Sequence, residues 1–243
     1  MNKTMPYTLS HAVVALPVSV IARGRIPLAA MVVGSMSPDF PYLLALSPTE
    51  APGHSESGVL IYCLLPSLLM LLVWYRWIEG PTLELFRLPR REWSFGKSSY
   101  FLVVLGVLIG AYSHVLWDAT SHFDGLFVVN SEFWNREILS LPMYKLNQYG
   151  GGILGLAALF VWYVFAVIKN RQEQYQGKLI IGVLVYSISI VFFVLLANIV
   201  HGSTVIIEFA VRSAIGGIVG GICGMCMYAF MVHLQADKKY YNE

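Results

Sequence analysis

Five long apolar runs constrain this chain more than any other feature of its sequence. They occupy residues at about 58–75, 99–117, 151–168, 179–200 and 205–232. Each approaches the roughly 20 residues that a helix needs to cross a hydrocarbon layer of about 30 Å. Because an open strand in lipid would leave its backbone groups unpaired, the runs predict transmembrane helices. A hydrophobic content of 57%, with only 12% charged residues, agrees with that prediction.

Two weaker apolar segments, at about 8–21 and 26–45, precede these runs and are separated by Arg23-Gly-Arg25. Prolines interrupt both segments, which therefore predict a hairpin of short or re-entrant helices. The predicted fold is all-α, a polytopic membrane helix bundle of five strong transmembrane helices plus this N-terminal hairpin. No linker marks a second domain, so we expect one integral-membrane domain over residues 1–243. No Ala-x-Ala site follows the first apolar segment, so we expect the N-terminal residues to be retained.

The distribution of basic residues predicts the orientation. If the five spans alternate, the connections at 76–98 and 169–178 and the C-terminal tail lie on one side. They carry Arg76, Arg87, Arg90, Arg91, Lys97, Lys169, Arg171, Lys178, Lys238 and Lys239. The opposite loops contain only Arg136 and Lys145, so the first side is cytoplasmic and the protein belongs to the cytoplasmic (inner) membrane. A net charge of +2, spread among apolar segments, excludes a nucleic-acid footprint.

The last apolar run is rich in glycine at spacings that let helix backbones approach closely. Its glycines are Gly216, Gly217, Gly220, Gly221 and Gly224. They favour either packing within the chain or a homodimer in the surrounding lipid. Glu208 and Arg212, four residues apart near the outer end of this run, form either a structural ion pair or a contact with substrate.

A His/Asp pair is the strongest chemical signal. His114 and Asp118 lie four residues apart in Ser-His-Val-Leu-Trp-Asp-Ala-Thr-Ser-His, so on a helix they share one face and can reach one metal ion. The same spacing also suits a simple hydrogen bond or a helix cap. His122 continues the stripe, but a helix would separate its backbone from that of His114 by about 12 Å. We therefore interpret His122 as a ligand of a second site or a group that supports the first.

Three further ionisable residues, His11, Asp39 and His54, fall in segments that the predicted topology brings to the same outer face. Taken singly, each has an ordinary explanation: a buried hydrogen-bonding histidine, a turn-stabilising aspartate and a solvated loop histidine. Ionisable groups near lipid are costly, however, and mark a function or a partner. Together with His114 and Asp118 they make three histidines and two aspartates, a donor set that suits a divalent cation such as zinc.

These residues carry a resemblance to a known family. The order of His11 in Tyr-Thr-Leu-Ser-His, Asp39 in Gly-Ser-Met-Ser-Pro-Asp-Phe, His54 in Gly-His-Ser and then the His114/Asp118 pair resembles a bacterial membrane family, domain-of-unknown-function family 4184. The stretch Leu-Pro-Met-Tyr-Lys-Leu-Asn-Gln-Tyr-Gly at 141–150 adds to the resemblance, which covers roughly residues 5–155. That part is expected to hold the metal site, and residues 156–243 to add transmembrane helices.

The family is in turn similar to inner-membrane metal-dependent hydrolases of the DNA-damage regulon. It is more remotely similar to zinc-dependent phospholipase C and related single-strand nucleases. The phospholipase pattern implies that His11 serves one ion, that Asp39, His54 and His114 serve another, and that Asp118 bridges them. The phospholipase also uses its processed N-terminal amine and a later His-x-x-x-Glu pair, and this chain shows neither feature. One or two ions are therefore expected rather than three.

The leading hypothesis is a metal-dependent hydrolase, specifically a phosphoesterase, that acts on a lipid head group or lipid-linked phosphate at the outer membrane face. Asp39 and Asp118 are its candidate catalytic carboxylates. Arg136, Lys145 and Arg212 are candidate phosphate contacts by location only. A non-enzymatic protein with a structural metal site or an ion- or proton-transport role is the alternative. A hydrolase fold that serves as a scaffold stays open as a third reading.

Overall fold

A computed structural model describes residues 8–49, 52–89, 97–170 and 179–241, and most of them are helical. Four of the basic residues that predict the orientation lie outside the described residues, namely Arg90, Arg91, Arg171 and Lys178. The α-helices are α1 Ala15–Ile21, α2 Leu28–Met36, α3 Phe40–Ala45, α4 Glu56–Gly58, α5 Leu65–Val73, α6 Glu79–Leu85, α7 Lys97–Ser121, α8 Leu126–Val129, α9 Glu132–Asn135, α10 Met143–Lys169, α11 Leu179–His201 and α12 Ile206–Tyr241.

Several shorter elements complete the chain. Three are 3₁₀ helices, at Thr8–Val14, Ser37–Asp39 and Pro52–His54, and two are π-helical segments, at Val59–Leu64 and Trp74–Ile78. Two strands that the sequence did not predict, β1 Glu137–Ile138 and β2 Leu141–Pro142, form an antiparallel hairpin of two residues each.

Among the described residues, six helical segments are long and apolar enough to cross a membrane. They are Leu28–Ala45, Val59–Leu85, Ser99–Val129, Met143–Lys169, Leu179–His201 and Ile206–Gln235. Five of them correspond to the five predicted spans, and the sixth is the second half of the predicted N-terminal hairpin. The other half, Thr8–Ile21, is shorter. The prediction of an all-α, multi-pass membrane fold is thus confirmed.

Two helix boundaries differ from the predicted ones. The first strong span continues to Leu85, so Arg76 is helical and the connection expected at 76–98 is shorter. Pro81 lies in this continuation, at the third residue of α6, which directly follows the π-helical segment Trp74–Ile78. Similarly, α10 begins at Met143 rather than near 151, so Lys145 lies on a helix and not in a loop.

The chain divides into two compact units. The first contains the described residues of Met1–Pro41, Glu50–Leu71 and Trp93–Trp162. The second contains those of Tyr42–Thr49, Leu72–Glu92 and Tyr163–Glu243. The expectation of one domain over residues 1–243 stays a prediction.

Glycines bring α2 and α7 into backbone contact in the first unit. A β-carbon on Gly34 would lie 2.3 Å from the Val107 carbonyl oxygen, and one on Gly110 would lie 2.3 Å from the Met31 carbonyl oxygen. Any larger residue at either position would force the helices apart. This close approach places the C-terminal end of α2 beside the second half of α7, where the His/Asp residues lie.

Glycine also joins α11 and α12 in the second unit. β-Carbons on Gly216 and Gly220 would lie 2.5 Å from the Phe193 carbonyl oxygen and 2.6 Å from the α-carbon of Ile190. The glycines of the last apolar run therefore pack within the chain, which is one of the two arrangements that the sequence predicts for them. At the start of α12, Arg212 Nη1 lies 3.5 Å from Glu208 Oε2, so the predicted ion pair is present.

Candidate metal centre

Six side chains from separate segments meet in the first unit. They are His11, Asp39, His54, His114, Asp118 and His122, all of which the sequence predicts as metal ligands or supporting groups. Asp118 is the residue that all four histidines share, since each has a ring nitrogen within 3.6 Å of one of its carboxylate oxygens. Their convergence is a product of the fold, because His11 and His122 are separated by most of the first unit's sequence.

The spacing of four residues on α7 sets the centre of the cluster. His114 and Asp118 project from one face of the helix, and His114 Nε2 lies 3.2 Å from Asp118 Oδ2. The helix ends at Ser121, so His122 follows it immediately. The Nδ1 atom of His122 lies 3.6 Å from Asp118 Oδ1. The separation of about 12 Å expected between the backbones of His114 and His122 therefore does not prevent the His122 ring from reaching the Asp118 carboxylate.

Asp39 is positioned by the end of α2. Pro38 has no backbone N–H and cannot continue the helical hydrogen bonding, and the chain tightens into the 3₁₀ helix Ser37–Asp39. The buried Ser37 hydroxyl donates to the Gly34 carbonyl at 2.7 Å. In this position Asp39 Oδ1 lies 3.6 Å from His114 Nε2.

His54 reaches the cluster from the 3₁₀ helix Pro52–His54. A β-carbon on the preceding Gly53 would lie 3.0 Å from the α-carbon of Pro38, so this short helix packs directly against the residue before Asp39. His54 Nε2 lies 3.1 Å from Asp118 Oδ2 and 3.5 Å from Asp39 Oδ1. The close packing at Gly53 therefore explains how a loop histidine comes to lie between two carboxylates.

His11 reaches the cluster by packing against the ring of His114. The two imidazoles stack, with centroids 3.9 Å apart and planes inclined by 26°, and the Trp117 ring packs edge-on against His11. His11 Nε2 lies 3.5 Å from Asp118 Oδ1. Asp118 thus presents one oxygen to His54 and His114 and the other to His11 and His122.

The distances lie close to those between the ligands of one metal ion. Atoms placed about 2.0–2.2 Å from a tetrahedral ion stand roughly 3.3–3.6 Å apart. The Nε2 atoms of His54 and His114 lie 3.5 and 3.6 Å from Asp39 Oδ1, within that range, and 3.1 and 3.2 Å from Asp118 Oδ2, slightly below it and at hydrogen-bond distance. Two groups of three residues have ligand atoms that all lie within 4.8 Å of one another and could hold a metal ion, namely His11, His114 and Asp118, and Asp39, His54 and His114.

The hydrogen bonding of His114 favours a cation at this place. Its Nδ1 lies 2.7 Å from the Ser35 carbonyl oxygen, which can only accept, so Nδ1 donates and neutral imidazole leaves a lone pair on Nε2. That lone pair faces Asp39 Oδ1 and Asp118 Oδ2, which are also acceptors when ionised. Either a proton on Nε2 or a metal ion relieves the repulsion. A backbone carbonyl on the far nitrogen is also how metal-binding histidines are commonly oriented.

Buried polar atoms without partners provide the same indication. Both ring nitrogens of His11, Nε2 of His114 and Oδ1 of Asp118 lack a hydrogen-bond partner among the described residues. Such atoms are rare in folded proteins because each one costs free energy of desolvation. Burial, with the neighbouring His114, lowers the pKa of His11 well below its usual value, although Asp118 opposes this shift. Because its pKa is lowered, His11 is a neutral imidazole near neutral pH and can donate a lone pair to a cation. The chemistry of the donor set therefore fits a divalent metal ion.

The cluster is unevenly buried. The side chains of His11, Asp39 and His114 are at most 2% exposed, whereas those of His54 and His122 are 26% and 22% exposed. Asp118 lies between the two groups at 11%. The cluster is therefore most accessible at His54 and His122.

Of the three predicted phosphate contacts, Arg136 and Lys145 belong to the first unit and Arg212 to the second. Arg136 is exposed between α9 and β1, and its carbonyl accepts a hydrogen bond from Met143 N. Lys145 Nζ donates to Gln148 Oε1 at 2.9 Å in the first unit. Arg212 belongs to the second unit, where it also donates to Ser203 Oγ at 2.9 Å. Their roles toward substrate stay predictions.

Two residues that support the cluster were not identified from the sequence. The Thr8 hydroxyl donates to Asp39 Oδ2 at 2.6 Å, and the Ser35 carbonyl orients His114. Thr8 precedes His11 by three residues, and a 3₁₀ helix of three residues per turn places such residues on one face. The 3₁₀ geometry is the signal that could have identified Thr8, but the apolar pattern of residues 8–21 does not distinguish it from an α-helix.

Comparison with known proteins gives one family. The family model described as "Domain of unknown function (DUF4184)" matches residues 5–232, a range that includes every residue of the cluster and exceeds the expected 5–155. No curated protein and no solved structure matches the chain.

Proposed function

The chain belongs to the DUF4184 family, and from its His/Asp cluster we propose that it is a membrane-embedded, divalent-metal-dependent hydrolase, specifically a phosphoesterase. The observation that carries the proposal is Asp118, whose two oxygens face four histidines, two of which are partly exposed. The proposed substrate is a lipid head group or lipid-linked phosphate. The proposed location of the site is the extracytoplasmic face of the cytoplasmic membrane.

The residues divide into two candidate ligand sets. Asp39, His54, His114 and Asp118 Oδ2 would hold one ion, and His11 with Asp118 Oδ1 would hold a second, to which His122 lies close. Imidazole and carboxylate together suit zinc, a borderline acid, better than calcium or magnesium, which prefer oxygen ligands. We therefore propose one or two zinc-like ions, with Asp118 as the bridging carboxylate.

Partial exposure favours catalysis over a purely structural metal site. Structural zinc sites are closed by four protein ligands, whereas catalytic sites keep a position for water or substrate. The first ligand set already provides four protein ligands, so the open position belongs to the second set, where His11 and Asp118 Oδ1 leave room for water beside the partly exposed His122. A site whose only role was to hold the fold together would have no need of that opening.

The chemistry follows from the residues at this opening. A divalent cation in the cluster would supply Lewis-acid chemistry, lowering the pKa of water from about 15.7 toward neutrality. Asp118 and Asp39 would hold the cation and orient the attacking water beside it, and a lone pair that the cation leaves free on Asp118 would accept the water's proton. The His114 and Ser35 pair keeps the buried side of the site rigid, while the surrounding apolar helices limit the entry of other water. A basic side chain such as Arg136, Lys145 or Arg212 would stabilise phosphate charge.

The test is hydrolysis by the purified full chain in lipid nanodiscs. With a panel of phospholipids and isoprenoid phosphates, we expect one member to be hydrolysed, releasing a phosphorylated head group from a phospholipid or inorganic phosphate from an isoprenoid phosphate. This activity should be lost on chelation and recovered when zinc is added back. Asp39→Asn should abolish hydrolysis, and His233→Gln should retain it, because His233 belongs to the second unit, where its Nε2 contacts the Trp77 carbonyl. Metal-loaded protein that hydrolyses no phosphoester, or that carries a chelator-insensitive ion flux in vesicles, would contradict the proposal and favour the non-enzymatic alternative.

A further inference from the structure

The strongest unused feature of the cluster is the hydrogen bond between Thr8 and Asp39. Thr8 Oγ1 donates to Asp39 Oδ2 at 2.6 Å. The two residues are 3% and 2% exposed, so no bulk water competes for either group. A short hydrogen bond to a carboxylate is among the stronger ones in proteins.

This bond divides the roles of the two Asp39 oxygens. The hydroxyl can donate one hydrogen bond, and Asp39 Oδ2 accepts it. The other oxygen, Oδ1, faces the cluster at 3.5 Å from His54 Nε2 and 3.6 Å from His114 Nε2. Asp39 therefore presents one oxygen toward the proposed ion while its second oxygen is held by Thr8.

The number of carboxylate oxygens that reach an ion decides which ions fit. Zinc is satisfied by four ligands, whereas calcium takes six to eight oxygens and often binds carboxylates through both of them. A carboxylate restricted to one oxygen thus favours the smaller coordination number. The nitrogen ligands His54 and His114 favour the same choice.

From this geometry we propose that Thr8 is a positioning residue that restricts Asp39 to ligation through Oδ1, and that it thereby selects a four-coordinate, zinc-like ion over larger divalent cations. The inference rests on the metal centre of the proposed function and assigns its selectivity to a residue outside the ligand set. The local backbone supports it, because the 3₁₀ helix Thr8–Val14 places Thr8 and the ligand candidate His11 on one face.

Cobalt substitution provides the experiment, because four-coordinate Co²⁺ absorbs visible light much more strongly than six-coordinate Co²⁺. The purified full chain is titrated with Co²⁺, then with Zn²⁺, Mn²⁺ and Ca²⁺ in competition. We expect an intense four-coordinate spectrum for the unaltered protein. In Thr8→Val, which keeps the shape of the side chain but removes its proton donor, we expect about 10–100-fold weaker Co²⁺ and Zn²⁺ binding. We also expect a weaker visible band and a smaller preference over Mn²⁺.

Two further variants separate positioning from general damage. Thr8→Ser keeps the hydroxyl, so it should restore the affinity and the spectrum. Thr82→Val removes a hydroxyl that is similarly buried, at 4% exposure, in the second unit and should leave both unchanged. Unchanged metal affinity and spectrum in Thr8→Val would overturn the inference, as would failure of Thr8→Ser to restore them.

The unaltered protein supplies a decisive measurement even if Thr8→Val does not fold. X-ray absorption should find about four nitrogen and oxygen neighbours around zinc, and six would overturn the inference. The two proposals fail differently. Absence of bound metal in the unaltered protein overturns both, whereas tight metal binding without hydrolysis overturns only the hydrolase. Tight metal binding whose affinity is unchanged in Thr8→Val overturns only the role of Thr8.

Discussion

Asp118 is the residue on which the cluster depends most. Its Oδ2 faces His54 and His114 at 3.1 and 3.2 Å, and its Oδ1 faces His11 and His122 at 3.5 and 3.6 Å. No other side chain in the described part of the chain has ion-pair distances to four histidines. Replacement of this one carboxylate therefore affects both candidate ligand sets at once.

Asp118→Asn should weaken the binding of zinc by more than about 100-fold, because the amide keeps the shape but loses the charge that offsets a divalent ion. A competition titration with a chromophoric chelator measures the change. Asp124→Asn is the matched control, since Asp124 is an exposed carboxylate only six residues away. Similar zinc affinities for the two variants would show that Asp118 is not a ligand.

The spacing of residues along the sequence predicted part of this site. The rest could not be predicted, for physical reasons. A spacing of four on a helix was enough to place His114 and Asp118 on one face. The supporting contacts of Thr8 and Ser35 depend instead on a 3₁₀ helix and on a helix end at Pro38. Neither contact can be read from residue type, because threonine and serine occur throughout apolar helices without any role in a site.

The contact between α2 and α7 places Ser35 beside His114. Gly34 and Gly110 make it possible, since a β-carbon at either position would lie 2.3 Å from a backbone oxygen of the opposite helix. The orientation of a metal-facing imidazole thus depends on two glycines that have no chemical function of their own.

Gly34→Ala should therefore separate the two helices, lower the thermal stability by an amount equivalent to roughly 1–3 kcal/mol, and weaken zinc binding. Melting curves in detergent and a zinc titration measure the two effects. Gly150→Ala is the control, because Gly150 lies in helix α10 of the same unit and no atom lies within 4 Å of the β-carbon that it adds. Equal melting temperatures for the two variants would contradict the importance of the contact.

Helix ends were the least predictable elements. Hydropathy located all five strong spans, but the first of them extends to Leu85 through the π-helical segment Trp74–Ile78. The end of α7 lies at Ser121, yet the backbone N–H of His122 still donates to the Asp118 carbonyl, so His122 keeps the spacing of four that places it on the Asp118 face. Such ends are set by tertiary packing and local backbone geometry rather than by average apolarity.

The glycine stripe of α12 leaves a second face for a partner helix. Gly216, Gly220 and Gly224 pack against α11, whereas a β-carbon added at Gly217 or Gly221 would meet nothing within 4 Å. Homodimerisation stays a prediction, and these two glycines are where it should occur. We expect crosslinking in native membranes to yield a dimer that the double variant Gly217→Leu, Gly221→Leu loses. An unaltered dimer in that variant would exclude this face.

At the scale of the whole chain, the six candidate spans make it a multi-pass membrane protein. The composition and the apolar runs were sufficient for that conclusion, because helices are the form in which a chain of this kind can satisfy its backbone in lipid. The sidedness of the protein rests on the distribution of Lys and Arg alone.

Sidedness can be measured by labelling single cysteines in a variant that lacks Cys63, Cys223 and Cys226. Asp124→Cys should react with an impermeant maleimide in intact cells, because it follows α7 on the predicted outer side. Arg87→Cys should react only after permeabilisation. The reverse pattern would place the His/Asp cluster on the cytoplasmic side.

The account depends on whether the His/Asp cluster binds a divalent cation, and elemental analysis of the purified chain measures this most directly. We predict about one or two zinc ions per unaltered chain. His114→Ala should lose nearly all of them, and His201→Ala, which removes a histidine that contacts the Ala45 carbonyl in the second unit, should lose none. Equal metal content in these three proteins, or none in the unaltered one, would contradict the metal centre.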